Sequence, residues 1–497
     1  MRKYILTIIS CSFLFADKPI TAKNILNLEY ISQPSINVGG TRIAYVKTVP
    51  PSLKSKSRRP FREVWVTDVD GTNQRKFTSA PNNSWAPQWT PDGNLSFLSL
   101  RKEHNQYTQI YTIPTDGGEA VPLTKHSSSV SSYAWSPNGR WIAFTSRDKI
   151  TQEEQERRKD GYDMIVMGKE QLYNRLWIYD LETKSHETIF RQDLNISNFV
   201  WSPDSKFIIF QASEKVNIDL EYLESSIYLV KAPSGNPRKI INTPGKLGDM
   251  SISPNNEQLA FLGAVSKNDP LAQSIYVLNI KNGKSKLVTP DFKESFVGVE
   301  WIDDQTVIGM SQRGTKTALS TVFLSENLPE DVYNQNDVLA PTEIISSFTF
   351  HRYTKQLVLT ANSRKHPNEL YVGLYNSKKM KRITFSNTAL NKVQLARQET
   401  ISWKARDGKT IQGVLTYPLV YRDGKRYPLI LQIHGGPEGV SLDGWNTRVT
   451  YPIQLLAANG YFVLEPNYRG SAGRGVAFSK LDHDDLRSEE HTSELQS

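Results

Sequence analysis

The chain has 497 residues, more than one ordinary domain contains, and this length predicts two domains. An apolar content of 38% and an aromatic content of 10% are enough for packed cores and exclude a disordered chain. The formal charge of +9 is a mild excess over this length, and the densest basic run, residues 54–59, has no interleaved aromatic residues. We therefore expect no nucleic-acid partner.

The N-terminus predicts an exported protein. A short positively charged segment precedes an apolar stretch, residues 4–16, and polar sequence follows. This pattern is typical of a secretory signal peptide, which we place at residues 1–22, with cleavage after Ala16 or Ala22. The stretch is too short to span a bilayer comfortably, so we expect no stable membrane span after cleavage and a periplasmic or secreted protein. The single cysteine, Cys11, lies in this segment, so the mature chain is expected to have no disulfide. A buried strand and lipidation of Cys11 are the alternatives.

A motif repeats through the middle of the chain at a spacing of about fifty residues. Its clearest copies have a Trp anchor, a Ser-Pro-Asp-Gly-like turn signal and then an apolar run. The seven anchors are Ile36, Trp89, Trp135, Trp201, Ile252, Trp301 and Phe350. Alternating aromatic and aliphatic residues with tight turns predict a four-stranded meander for each copy, and radially repeated meanders form a β-propeller. We predict a seven-bladed propeller over residues 27–394, with the Trp side chains packed between adjacent blades.

One spacing is longer than the others because residues 149–174 are inserted in the third copy. The insertion is dense in charges of both signs, which predicts a solvated, partly helical excursion. The alternative is a substrate-facing arm that presents Glu153 and Glu154.

The repeat ends near Thr384, and a different pattern follows. Residues 399–417 alternate by twos around an Asp-Gly pair and predict a hairpin. Residues 429–433 are nearly all apolar and predict a strand buried on both faces of a parallel sheet. Residues 447–459 have helical spacing, and residues 461–464 predict the next buried strand. Strand, Gly-rich loop, helix and strand form a βαβ unit.

Two motifs follow the two predicted parallel strands. The first is His434-Gly435-Gly436-Pro437, and the second is Asn467-Tyr468-Arg469-Gly470-Ser471. Their order after a propeller and a hairpin resembles the prolyl oligopeptidase family of serine peptidases, in particular its acylaminoacyl-peptidase and bacterial dipeptidyl-peptidase branch. The resemblance spans about residues 27–486. It implies a propeller followed by an α/β-hydrolase catalytic domain, of which residues 395–486 are the N-terminal, incomplete part.

The resemblance also implies roles for these motifs in acyl transfer, which needs a nucleophile, a base, a residue that orients the base, and oxyanion donors. His434 is placed in the oxyanion loop, where Gly435 and Gly436 let the chain turn without side-chain obstruction. The alternative for His434 is packing at the strand end. The residues expected to shape the pocket are Asn467, Tyr468, Arg469 and Gly470. Arg469 is either a structural ion-pair partner or a substrate contact.

The nucleophile is the missing part of this constellation. No serine lies in a Gly-x-Ser-x-Gly elbow, and the nearest match, Gly439-Val-Ser441, precedes the second parallel strand. We therefore expect the Ser, Asp and His of the triad to be absent, and we expect no metal and no cofactor. Residues 487–497 match the translation of a common sequencing-library adapter. They predict that genuine coding sequence stops near Leu486 and that the chain is truncated at its C-terminus.

The sequence thus predicts a parent protein that is an exported serine-type peptidase, hydrolysing short peptides through an acyl-enzyme. The propeller would restrict access to the site, and the chain itself would be inactive. Two alternatives stay open: a non-catalytic envelope propeller that binds peptides or proteins, and an esterase on the same fold. The oligomeric state, the residue preference and the choice between endo- and exopeptidase action are not determined by the sequence.

Overall fold

The computed structural model describes residues 18–51, 59–101, 106–162, 164, 172–290, 292–324, 335–339, 341–375, 377, 379–436 and 438–483. The predictions on residues 1–17, on Pro437 and on the adapter-like residues 487–497 lie outside this part of the chain.

The described chain is rich in strands and has few helices. Two short elements come first, β1 (Lys18–Pro19) and α1 (Ala22–Leu26). Seven four-stranded sheets follow, each made of consecutive antiparallel strands within the described residues. Sheets 1 to 3 are β2 (Tyr30–Ile36), β3 (Arg42–Val49), β4 (Phe61–Asp68) and β5 (Arg75–Lys76); β6 (Asn83–Trp89), β7 (Leu95–Leu100), β8 (Gln109–Ile113) and β9 (Val121–Pro122); and β10 (Val130–Trp135), β11 (Trp141–Arg147), β12 (Asn174–Asp180) and β13 (Ser185–Thr188), with α2 (Gln152–Lys159) between β11 and β12.

The remaining four sheets continue the same pattern. Sheets 4 and 5 are β14 (Asn195–Trp201), β15 (Phe207–Ser213), β16 (Ser226–Lys231) and β17 (Arg238–Asn242), with α3 (Ile218–Leu223) before β16; and β18 (Leu247–Ile252), β19 (Gln258–Gly263), β20 (Ser274–Asn279) and β21 (Ser285–Leu287). Sheets 6 and 7 are β22 (Ser295–Asp303), β23 (Thr306–Arg313), β24 (Lys316–Phe323) and β25 (Gln335–Leu339); and β26 (Ile344–His351), β27 (Gln356–Ser363), β28 (His366–Leu374) and β29 (Lys381–Arg382).

The seven sheets form a ring that closes on itself. Each pair of neighbouring sheets shares a buried apolar cluster, and the last cluster joins sheet 7 to sheet 1. In that cluster Ile43 and Tyr45 of sheet 1 pack with Val358 and Leu370 of sheet 7. Each fully buried aliphatic or aromatic side chain contributes about 1.5–3 kcal/mol, so every sheet-to-sheet contact stabilises the ring.

The Trp anchors lie where the repeat predicts, at the contact between consecutive sheets. The indole Nε1 of Trp89 donates to the carbonyl of Ser35 at 2.9 Å, and that of Trp301 donates to the carbonyl of Ser251 at 2.9 Å. Each bond reaches from one sheet to the first strand of the sheet before it. These two anchors therefore link neighbouring sheets by hydrogen bonds as well as by packing.

The insertion in sheet 3 contains the predicted helix. Thr151 caps α2, because its hydroxyl accepts the backbone N–H of Glu154 at 3.2 Å. The Glu154 carboxylate pairs with Arg157 and Arg158 on the same helix, at 3.2 and 2.7 Å. These i,i+3 and i,i+4 pairs hold its charge within the helix.

A second, smaller sheet follows the ring. After a 3₁₀ helix (Thr388–Lys392) and β30 (Val393–Gln394), which pairs with β1, come β31 (Gln398–Lys404), β32 (Thr410–Thr416), β33 (Leu429–Leu431), α4 (Ile453–Ala458), β34 (Phe462–Asn467) and α5 (Val476–Ser479). The strand order is β31-β32-β34-β33. The predicted hairpin is β31–β32, and the predicted βαβ unit is β33–α4–β34, whose strands are parallel.

Two predicted elements of this sheet were wrong in detail. The first strand is not buried on both faces: it spans only Leu429–Leu431, and Leu429 is 53% exposed, because β33 is the edge strand of the described sheet. The helix predicted at residues 447–459 begins only at Ile453. Pro452 precedes it, and a proline disfavours the helical conformation of the residue before it.

Candidate active site

The loops after β33 and β34 meet at His434. Its Nε2 lies 3.0 Å from the hydroxyl of Ser471, and its ring stacks on Tyr468 with centroids 4.6 Å apart. The Tyr468 hydroxyl donates to the His434 carbonyl at 2.7 Å. The two sequence motifs are therefore in contact, and Tyr468 and Ser471 of the second motif fix the position of His434 in the first.

Two glycines of the motifs, Gly436 and Gly470, are required by the backbone. Gly436 has a φ of +137°, and a Cβ there would lie 2.5 Å from the backbone nitrogen of Gly439. Gly470 has a φ of +88°, and a Cβ there would lie 2.2 Å from a carboxylate oxygen of Asp482. A Cβ on Gly435 would meet no described atom within 4 Å, so this position leaves backbone open to a ligand.

Asn467 fixes the loop that carries Ser441. Its Oδ1 accepts the backbone N–H of Ser441 at 2.6 Å, and its Nδ2 donates to the Ser441 carbonyl at 3.0 Å. Asn467 is 1% exposed, and Ser441 is 8% exposed. Ser441, the nearest sequence match to a nucleophile, is thus a buried loop residue whose backbone is fixed by two hydrogen bonds to Asn467.

Arg469 forms the ion pair that was one of its two predicted roles. It is 7% exposed, and its guanidinium lies 2.7 Å from the Asp407 carboxylate in the β31–β32 turn. The pKa of Asp407 is lowered, first by the backbone N–H of Lys409 and also by Arg469. Arg469 therefore ties the second motif to the hairpin.

Asp443 joins the loop after β33 to the ring of sheets. Its side chain is 1% exposed and lies 2.9 Å from the Lys316 ammonium of sheet 6, and Arg364 of sheet 7 donates to both of its oxygens. Gln398 donates at 3.0 Å and Thr400 at 3.2 Å, both from β31. We call these five side chains the Asp443 cluster.

The charge of the Asp443 cluster favours ionised aspartate. Burial by itself raises the pKa of Asp443, but hydrogen bonds from Arg364, Gln398 and Lys316 outweigh it and lower the pKa to about 2. Backbone bonds add to the contact, since the Asp443 N–H donates to the Thr315 carbonyl at 2.8 Å. The loop is therefore held by the ring through charge and through backbone.

A cavity of about 720 Å³ lies between the ring and the Gly-rich loops. This size is in the range of ligand pockets. Val297 and Ser346 line its ring side, and each occupies a β-bulge in the first strand of its sheet. His434, Gly435 and the loop with Ser441 line the opposite side. A molecule in this cavity would touch both units.

Glu465 of β34 is the acid of this cavity. It is 8% exposed, and its Oε2 accepts a hydrogen bond from the Asn446 amide at 2.8 Å. Burial raises the pKa of Glu465 to about 7, while Asn446 and the positive charge of Arg448 lower it. Arg448 and Glu465 are the charged residues among the described cavity lining.

Metal ligation has no support in the described ranges, where no group of three or more His, Cys, Asp or Glu side chains could hold an ion. Of the helices that the structure describes, none has the length and hydrophobicity needed to cross a membrane.

Sequence reasoning missed Asp443 and Glu465. Glu465 had a signal, because an acid within a strand that is otherwise apolar must be either paired or functional. Asp443 had none, since its cationic partners lie 79 and 127 positions away in the chain.

Curated relatives of the chain are peptidases. It is 25% identical to the peptidase YuxL of Bacillus subtilis, over 96% of this chain and 75% of the relative. It is 23% identical to dipeptidyl-peptidase 5 of Porphyromonas gingivalis, over 93% of this chain and 69% of the relative. No protein-family model matches.

Solved structures share the fold. Acylaminoacyl peptidase of Pyrococcus horikoshii matches with a TM-score of 0.70 and 17% identity, over 92% of this chain and 68% of its own. A puromycin hydrolase matches with a TM-score of 0.70 and 13% identity, over 93% and 70%. The predicted resemblance is confirmed: in sequence and in fold, the chain is a relative of the prolyl oligopeptidase family of peptidases.

Proposed function

We propose that the chain is the seven-bladed propeller, residues 27–394, and the first hydrolase segment, residues 395–486, of an exported serine-type peptidase that acts on short peptides. The observation that carries the proposal is the cavity between the ring and the His434 loop. Its walls come from both units, so a substrate would have to fit between them, which excludes large folded proteins.

The chemistry assigned to this chain is oxyanion stabilisation and positioning. Gly435 lines the cavity with its backbone uncovered, Gly436 allows the turn that follows, and His434 is oriented by Ser471 and Tyr468. Backbone N–H groups of a loop held in this way stabilise the negative charge that develops on a carbonyl oxygen during acyl transfer. The group that attacks the carbonyl is not among these residues.

We further propose that the 497-residue chain hydrolyses no peptide, because it contains no Gly-x-Ser-x-Gly elbow. The test incubates the purified chain with a panel of fluorogenic di- and tripeptides and with a serine-directed phosphonate. Neither turnover nor covalent labelling is expected. Turnover or covalent labelling by the pure chain would refute this proposal, and loss of that signal in Ser441→Ala would assign it to Ser441.

The genomic locus tests the parent activity. A downstream Gly-x-Ser-x-Gly, followed by Asp and then His in one reading frame with residues 1–486, is expected. If residues 487–497 are present in the locus and a natural stop follows, the non-catalytic envelope propeller is the better interpretation. With the elbow present, a panel of ester and peptide substrates on the longer protein separates an esterase from a peptidase.

Packing at the N-terminus bears on export. Ile20 is 2% exposed and packs with Ile25 and Leu390, and Lys18 pairs with Val393. Cleavage after Ala22 would remove these contacts, whereas cleavage after Ala16 would keep them. We therefore propose a mature N-terminus at Asp17. Intact mass measurement on the exported protein tests this, and a start at Lys23 would contradict it.

A further inference from the structure

Among the described residues that line the cavity, Glu465 is the one acid, and its hydrogen bonding is incomplete. Glu465 Oε2 accepts one bond from Asn446, at 2.8 Å, and no described residue donates a hydrogen bond to Oε1. The side chain is 8% exposed and lines the cavity. A buried carboxylate with a vacant acceptor is costly unless a donor is supplied from outside the protein.

The other charge on the cavity wall does not fill that role. Arg448 is exposed, and its guanidinium lies 4.7 Å from the centre of the Tyr451 ring. It acts on Glu465 through space and makes no hydrogen bond to it. The described lining is otherwise uncharged apart from the titratable ring of His434.

We propose that Glu465 binds a positively charged nitrogen of a peptide ligand in this cavity. The nitrogen is either the free amino terminus or a Lys or Arg side chain, since both present N–H donors with a positive charge. This inference rests on the proposed function, because it assumes that peptides occupy the cavity, and it adds a specificity residue to it. Burial raises the pKa of Glu465 because it disfavours the charged carboxylate. A cationic partner would offset this cost.

Binding to the 497-residue chain tests the inference by isothermal titration calorimetry. Three C-terminally amidated peptides are compared: tetra-alanine with a free amino terminus, the same peptide N-acetylated, and an N-acetylated peptide with one Lys. A charge-assisted hydrogen bond predicts that a cationic peptide binds on the order of 10-fold or more tightly than the acetylated alanine peptide. The free-amine and Lys peptides identify which nitrogen is bound.

The variant Glu465→Gln should reduce the affinity for the cationic peptide to that for the acetylated one. Glu438→Gln is the matched control, because Glu438 is an acid of the loop after β33 that does not line the cavity. Glu465→Asp keeps the charge and should retain part of the preference, provided that circular dichroism shows both Glu465 variants folded.

The outcomes separate the two proposals. Equal affinity of all three peptides for the wild-type chain would overturn the role of Glu465 and leave peptide binding intact. A preference that survives Glu465→Gln would also overturn it. If none of the peptides binds, the proposed function of this chain fails, and the inference fails with it.

Discussion

Replacing Asp443 by Asn should destabilise the loop after β33 without changing its shape. The carboxylate is 1% exposed and is contacted by Lys316, Arg364, Gln398 and Thr400. Its pKa falls from 3.8 to about 2, and at about 1.4 kcal/mol per unit this is on the order of 2 kcal/mol in favour of the ionised form. Asn cannot carry the charge, so we expect the loop to lose about 2 kcal/mol of local stability.

Native-state hydrogen exchange measures this loss directly. The N–H of Asp443 donates to Thr315 and that of Trp445 donates to Asn362, both at 2.8 Å, so both amides report loop opening. A loss of about 2 kcal/mol predicts about 30-fold faster exchange of residues 441–447. Arg364→Gln should have a similar effect, and the double variant should cost less than the sum.

A control variant separates this effect from the general effect of removing an acid. Glu182→Gln removes an exposed carboxylate, 67% accessible, that pairs with Arg140 in sheet 3. Exposed pairs contribute about 0–1 kcal/mol, so its exchange rates should change little. The reasoning would be refuted if residues 441–447 exchanged at the same rate in Asp443→Asn as in the wild-type chain. It would also be refuted if Glu182→Gln accelerated exchange in sheet 3 as much as Asp443→Asn accelerates it in residues 441–447. The direction of the pH dependence follows from the lowered pKa of Asp443. The ionised carboxylate stabilises the folded loop above pH 3.8, and this stabilisation is lost as the pH falls towards 2.

Further predictions concern strain and protonation. Gly470→Ala should destabilise the chain by about 1–3 kcal/mol more than Gly408→Ala, as measured by thermal denaturation. Both positions have a positive φ, but only a Cβ at position 470 would clash, with the Asp482 carboxylate. Equal destabilisation by the two variants would contradict this clash. Burial, together with His186, lowers the pKa of His126 from 6.5 to about 4, so the stability that neutral His126 contributes is complete above pH 6.5 and is lost as the pH drops to 4. Melting temperatures across this range should fall in the wild-type chain and fall less in His126→Gln, and parallel slopes would show that another group is responsible.

The repeat and its turns were predictable because their determinants are local. Each copy carries its own anchor, turn residues and alternating strands within about fifty positions. Periodicity therefore identifies the sheets, and the indole of Trp301, buried against the sheet before it, occupies the place that the pattern predicts. The hairpin β31–β32 and the His-Gly-Gly turn were predictable for the same reason, since tight turns depend on the residues in them.

Other features depended on neighbours that the local sequence does not specify. The apolar run at 429–433 predicts burial, but burial depends on which strands flank it, and β33 has β34 on one side only within the described sheet. The helix boundary at Pro452 was a local signal that the apolar spacing obscured.

By itself, the sequence determined the repeats, the βαβ unit and the two motifs that follow its strands, since each is encoded in short segments. Only the tertiary structure decided which charges meet. Asp443 finds its cations in sheets 6 and 7, and Glu465 faces a cavity whose other wall belongs to the ring. The physical reason is that electrostatic partners and cavity walls are brought together by packing over long sequence separations, and a local pattern carries no record of them.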